Sequence, residues 1–281
     1  MLKREALEEH ACPADVMELR DLARRRERLT DQVTKLKGNM KRILSVTFPE
    51  LEHLTGVFAK SILQLLIHFP SAAALRNANV DEVATIVVSR SWGRKSRAWV
   101  ETLMATAASS IGVSSPAKEL VLKQDAEQLH YIQGQIKEVT KLLMSLCTEK
   151  MKKDIEILTS LQGIGASTAL QFLIEIGGDI HLYKNDKKLI AAAGLDPSTY
   201  QSGMYQGKSR ISKRGNRHLR RVIWIMAKCV IFSNDLFKTY FYKRRREGLP
   251  YKMAVMATAH KLIRVMFSML VHQTYFKEVG K

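Results

Sequence analysis

Apolar residues recur at steps of three, four and seven through residues 14–47, at Val16, Leu19, Leu22, Leu29, Val33, Leu36, Met40 and Ile43, with charged residues between them. That spacing predicts one long amphipathic helix, with Pro13 suited to its first turn and Pro49 just beyond its end. A second segment runs from Ala117 to about Leu158. There Leu122, Leu129, Ile136 and Leu143 fall seven apart, with Ala126, Ile132, Val139 and Leu146 between them, and four heptad steps predict a short coiled-coil seam. Two such helices can pair within the chain or with another copy, or serve as ordinary bundle helices. Between them, Phe58–Phe69 reads as a buried helix ended by Pro70. Asn79-Val80-Asp81-Glu82 resembles a capping box that starts a helix through Val88, and Ala98–Ile111 reads as a further helix. Trp92, Arg94 and Lys95 form a basic turn, plainly read as solvated with its Trp half-buried. Ser114-Ser115-Pro116 serves as a hinge.

Glycines cluster from Gly163 onward, and a last helix from Pro250 to about Tyr275 is apolar over much of its surface. The only strand signal is a possible hairpin around Gln206-Gly207. The expected fold is therefore mainly all-α. Residues 1–50 form a first coiled-coil helix, 57–115 a small helical insert, 117–150 a second coiled-coil helix, and 152–276 a helical C-terminal domain.

Charge sharpens this picture. The 281 residues carry 45 Lys and Arg against 27 Asp and Glu, a net +18, and residues 204–246 alone hold 13 Lys and Arg against the single acid Asp235. That balance points to a polyanionic partner. The longest apolar stretch, Val222–Phe232, is broken by Lys228 and is short of the roughly 20 residues of a membrane span. The N-terminus has no apolar signal core, and three scattered cysteines offer neither a zinc pair nor a disulfide frame. The reading is a reduced, cytoplasmic protein with no membrane partner.

Three motifs carry candidate chemistry. In Leu158–Ala169, Gly163 and Gly165 flank Ile164 between two helices, the pattern of a helix-hairpin-helix. Glycine there allows a tight turn and lets a phosphate reach backbone N–H groups. The same turn also serves as a packing corner, and Ser167 and Thr168 rather than lysines flank it. Next, Ala191-Ala192-Ala193-Gly194-Leu195 reads as a helix end with a left-handed cap. In the third motif Asn216 reads as the N-cap of a helix exposing Arg217, Arg220 and Arg221 on one face, with Lys213 and Arg214 just ahead. Guanidinium groups so placed grip phosphates. Ser202, before Gly203, is the one candidate nucleophile, with Lys208, Arg210 and Lys213 near in sequence to stabilise phosphate charge. No histidine or carboxylate spacing suggests a metal site; Asp179, Asp186 and Asp196 read as turn and cap residues.

In order and spacing, L-x-x-L-x-G-I-G-x-x-x-A, A-A-x-G-L-x-P-x-x-x-x-S-G and I-S-K-R-G-N-x-x-L-R resemble the C-terminal domain of the bridge-RNA-guided insertion-sequence transposases, the DEDD/serine recombinases that include the pilin-gene invertase. The resemblance is strong over about 152–275 and looser over 14–150, and Ala257, Lys261 and Leu262 follow the family's A-x-x-x-K-L ending. It implies a serine that attacks a DNA phosphate, matching Ser202, and a RuvC-like N-terminal domain that supplies four acidic Mg²⁺ ligands. Met204 stands where the family usually has a second glycine, and this chain is expected to lack the RuvC-like half. The implied function is a transposase acting on insertion-sequence ends, with Mg²⁺ entering only with a RuvC-like domain in trans. Its implied partners are DNA, a guide RNA, and further copies in a dimer or tetramer. The alternatives are a non-enzymatic regulator of the same fold and, from another class, a coiled-coil RNA-binding scaffold.

Overall fold

The computed structural model describes residues 14–198, 201–202, 205–206 and 210–277. In chain order its α-helices are α1 (Ala14–Thr47), α2 (Leu51–Leu54), α3 (Lys60–His68), α4 (Ala72–Arg76), α5 (Val80–Ser89), α6 (Arg97–Ala108) and α7 (Pro116–Ser145), then α8 (Glu149–Thr159), α9 (Ala166–Glu175), α10 (Asp186–Ala192), α11 (Arg217–Ser233), α12 (Asp235–Arg246) and α13 (Tyr251–Val271). A 3₁₀ turn spans Ile180–Leu182. Among the described residues, extended structure amounts to four two-residue strands: β1 (Pro197–Ser198) pairs antiparallel with β4 (Arg210–Ile211), and β2 (Gln201–Ser202) with β3 (Tyr205–Gln206). The fold is all-α.

The stretch expected as one helix through Leu158 is two. α7 stops at Ser145, and the Thr148 hydroxyl accepts the Met151 N–H at 3.3 Å to cap a new helix. A threonine cap followed by Glu149 suits a helix start better than a helix interior. α13 ends at Val271, four residues before the expected Tyr275.

Two compact units make up the chain: Arg25–Val139, and the described residues up to Arg24 together with those from Thr140 onward. In the first unit, Met40, Ile43 and Leu44 of α1 and Leu122, Ala126 and Leu129 of α7 share one core with α3, α5 and α6. Asn39 donates a hydrogen bond to the Asp125 carboxylate between the two long helices. Leu122 and Leu129 are therefore covered inside a single chain, while Ile136 of the same heptad series is half-buried. Three helices of the insert start on side-chain caps, with Ser71, Asn79 and Ser96 accepting backbone N–H groups at the starts of α4, α5 and α6. Trp92 is 88% exposed, not half-buried.

In the second unit α13 packs against α8, α10, α11 and α12, and α9 against α8 and α11. α13 is the one described helix long and apolar enough, at a mean hydropathy of 1.4, to cross a membrane, a length the apolar pattern at 222–232 did not reveal. Its Ala254, Val255, Leu262, Ile263 and Met266 are buried in the core of this unit.

Candidate nucleic-acid interface

The three glycine-bearing motifs converge in the second unit. α10 ends in a left-handed Gly194 (φ 62°), with Gly194 N–H donating to Ala191 O (2.8 Å) and Leu195 N–H to Ile190 O (3.0 Å). That bond pair is a Schellman cap, as expected. The segment 212–216 runs along this cap, backbone to backbone. Ser212 N–H donates to Asp196 O (2.9 Å), Lys213 N–H to Gly194 O (3.0 Å) and Asn216 N–H to Ala192 O (2.7 Å), and the Ser212 hydroxyl donates to the Asp196 carboxylate at 2.6 Å. The approach leaves no room for side chains: a Cβ on Gly215 would lie 2.1 Å from Ala192 O. Immediately beyond this bracket β1 and β4 pair, so the chain leaves and re-enters the scaffold at one point, and the β2–β3 ladder bearing Ser202 lies further out along the same excursion. In that ladder Gln201 aligns with Gln206 and Ser202 with Tyr205, and the hairpin expected around Gln206-Gly207 runs onto residues that are not described. Gly203, Met204, Gly207 and Lys208 lie outside the described residues.

Asn216 caps α11 as expected, its Oδ1 accepting His218 N–H (2.9 Å) and Leu219 N–H (3.2 Å). What fixes the cap was not foreseen. Asn216 Nδ2 donates to Glu175 at 2.7 Å, and Glu175, with its side chain fully buried at the end of α9, is met on both oxygens by Arg24 of α1 at 3.3–3.4 Å. A buried carboxylate is tolerable when cation and amide share its lone pairs. The signal was present as a lone acid inside the apolar run Phe172–Ile176.

Lys213, Arg214 and Arg217 are exposed around the start of α11. Lys213 holds φ 55°, a left-handed conformation that its bond to Gly194 O keeps in place. Arg220 is a correction: it is half-buried, and its Nη1 donates to Ala193 O at 2.9 Å, closing the end of α10. The spacing 217, 220, 221 defines a helix face but not its direction, and the open Ala193 carbonyl decides that for Arg220. Arg221 is also half-buried. Arg210 pairs with Ser198 across the β1–β4 ladder. Further cations line α12, with Lys238, Lys243, Arg245 and Arg246 exposed.

The glycines of the 163–165 turn divide. Gly163 (φ 103°) packs on α11, where a Cβ would lie 2.9 Å from Val230 Cα, so this residue acts as a packing corner. A Cβ on Gly165 would meet nothing within 4 Å, and this residue starts α9 without a side-chain cap. Of the acids read as cap residues, Asp179 accepts His181 N–H (3.0 Å), Asp196 accepts Ser212, and Asp186 pairs with Arg264 while Asn185 caps α10. Among the described residues no three His, Cys, Asp or Glu side chains cluster as a metal site.

The fold and site thus define a helical scaffold with a cationic helix start and a bracketed loop beside it. Residues 155–242, from α8 into α12, match the family described as "Transposase IS116/IS110/IS902 family". The chain is similar to the insertion element IS116 uncharacterized 44.8 kDa protein of Streptomyces clavuligerus, at 26% identity over 94% of this chain and 66% of the relative. It is also similar to the insertion element IS900 uncharacterized 42 kDa protein of Mycobacterium paratuberculosis, at 26% identity over 90% of this chain and 64% of the relative. A probable family 20 transposase of Pseudomonas aeruginosa is 25% identical over 68% of this chain and 56% of its own length. The chain spans just under two thirds of the length of the first two relatives.

Proposed function

We propose that this chain works in insertion-sequence transposition, holding DNA by its phosphates at the start of α11 and presenting Ser202 to one of them. The observation that carries this is the bracket. The segment that carries exposed Lys213 and Arg214 and leads into exposed Arg217 is fixed by backbone bonds from Ser212, Lys213 and Asn216 to the end of α10, at the base of the excursion that bears Ser202. Cations held on a rigid cap place phosphates at low entropic cost, with Lys208, Arg210 and Arg221 as further contacts and the open backbone at Gly165 as a second phosphate reader. In the strand-breaking step the Ser202 oxygen bonds to phosphorus, the bond to one bridging sugar oxygen breaks, and that oxygen leaves as a hydroxyl with the serine's proton. The product is a phosphoserine ester, which the reverse attack by a different strand resolves. The Mg²⁺ ligands belong to a RuvC-like domain acting in trans. A guide RNA and a homo-oligomer, dimer or tetramer, complete the assembly. Joining two DNA ends calls for more than one copy, whereas Leu122 and Leu129 make no such demand, being already covered.

The test combines the chain with a RuvC-like domain, RNA and Mg²⁺ on an insertion-sequence end, comparing the parent with Ser202→Ala. A covalent protein–DNA adduct trapped in the parent and lost in the variant supports the nucleophile. Strand exchange at an unchanged rate in the variant overturns it. Retained DNA binding with no adduct in either protein favours the non-enzymatic regulator.

A further inference from the structure

We infer that the Trp92 turn of the helical insert binds an unpaired nucleobase and its flanking phosphates, making the Arg25–Val139 unit a second, single-strand-specific nucleic-acid site. Trp92 is 88% exposed at the tip between α5 and α6. Its φ of 54° precedes Gly93 at φ 75°, and a bulky L-residue in the left-handed region is strained. Such strain persists only where neighbouring contacts impose it, and it concentrates at ligand-binding segments. The imposing contacts are present. Buried Ser91 donates to Val88 O (3.0 Å) and accepts the Lys95 N–H (3.2 Å), and Arg94 N–H donates to Ser91 O (3.2 Å). The indole, 88% exposed, is thus held in water by a turn whose own hydrogen bonds fix its backbone.

Beside the ring opens a cleft of roughly 570 Å³ whose charged lining is Lys60, Arg90, Arg94 and Lys95, with no acidic side chain among its described lining residues. Lys95 forms its inner edge. The ammonium lies 3.5 Å from the Trp99 ring centre and donates to Thr55 Oγ1 at 2.7 Å. Lys60, Arg90 and Arg94 are exposed. α3 starts at this cleft on Ala59, which supplies no side-chain cap, so the first amides of a nine-residue helix add their positive end to the cations. An exposed aromatic face next to a cationic groove is how single strands are bound without regard to sequence, by stacking on the base and charge on the phosphates. A paired base cannot reach the ring, because its faces are occupied by its neighbours in the stack. This site is independent of the α11 interface proposed above.

The experiment is residue-resolved lysine-acetylation footprinting of the full chain with three probes: a 15-nucleotide oligo-dT, an oligo-U of the same length, and a DNA duplex. Lys60 reports this cleft and Lys213 reports the α11 interface in the same sample. Either single strand should protect Lys60, and the strand with the lower half-saturation identifies DNA or RNA as the source. Trp92→Gly, which suits the positive φ, and Arg94→Glu should each raise the concentration needed at Lys60 about tenfold. Lys213 protection and the melting temperature should stay unchanged, and Trp92→Phe should restore part of the loss. The inference fails if Lys60 stays open to acetylation where Lys213 is saturated, if duplex protects it as well as single strand, or if Trp92→Gly shifts nothing.

Discussion

At Gly215 a single methyl group would lie 2.1 Å from the Ala192 carbonyl oxygen and 2.4 Å from the Gly194 amide nitrogen, both backbone atoms that cannot turn aside. Gly215→Ala is expected to lose at least about 2 kcal/mol of stability, read as a lower urea midpoint. Gly165→Ala is the contrast, since its φ of −86° suits any residue and its surroundings are open. Stability should change by less than about 0.5 kcal/mol, and a fall in DNA affinity there would place a phosphate at the α9 amides. His260 links residue chemistry to pH. Burial lowers its pKa below the ordinary 6.5, only partly offset by the Leu195 carbonyl 3.0 Å away, with Arg264 lowering it and Asp196 raising it. The folded state therefore resists protonation more than the unfolded chain does. The contribution is complete above pH about 6.5 and is lost as pH falls through the lowered value. Denaturation between pH 7.5 and 5 should show stability falling toward acid, with a shallower fall in His260→Gln. The Asn216 cap could be read from sequence because its partners lie two and three residues away. Arg220 could not, because its partner lies 27 residues back and only the folded chain brings the two together.

Among the elements, α1 was legible to the residue because its stripe runs unbroken for 34 residues with few competing signals. The break between α7 and α8 was not, because the apolar spacing continues through Leu146 while a one-residue cap at Thr148 ends the register. The two-residue ladders gave no alternation long enough to detect, a strand pattern needing about four residues. They exist because bonds from Ser212 and Lys213 to Asp196 and Gly194 bring their ends together. α11 shows how an element acquires a function. Its start is held by Asn216, which Glu175 and Arg24 hold in turn. Asn216→Ala strands the amides of His218 and Leu219 and an oxygen of Glu175. It should cost about 1–2 kcal/mol and weaken DNA binding more than Arg246→Ala, since it loosens the base carrying Arg217. Equal effects of the two variants in fluorescence-anisotropy titrations would argue that α11's start is not the DNA grip.

Across the whole molecule the charge excess has a measurable consequence. The three exposed cations Lys213, Arg214 and Arg217 alone would give a log–log salt slope of about −2.7 if each neutralises one phosphate, and the α12 cations should steepen it beyond about −3. A slope near zero in titrations from 50 to 300 mM salt would remove the electrostatic basis of the interface. The sequence had announced this excess through composition, but not that α1 and α7 each pass through both compact units, because a helix stripe does not say where its partners change. The bracket between Gly194 and Gly215 carries a different kind of consequence. Because the excursion from 197 to 211 is closed at its own base, the scaffold does not register how long the excursion is: doubling a closed loop costs only about 0.6 kcal/mol. Replacing residues 199–209 with a Gly-Ser linker of equal or twice the length should leave the melting temperature of the C-terminal unit within a few degrees, because every bond that closes the base lies outside the replaced stretch.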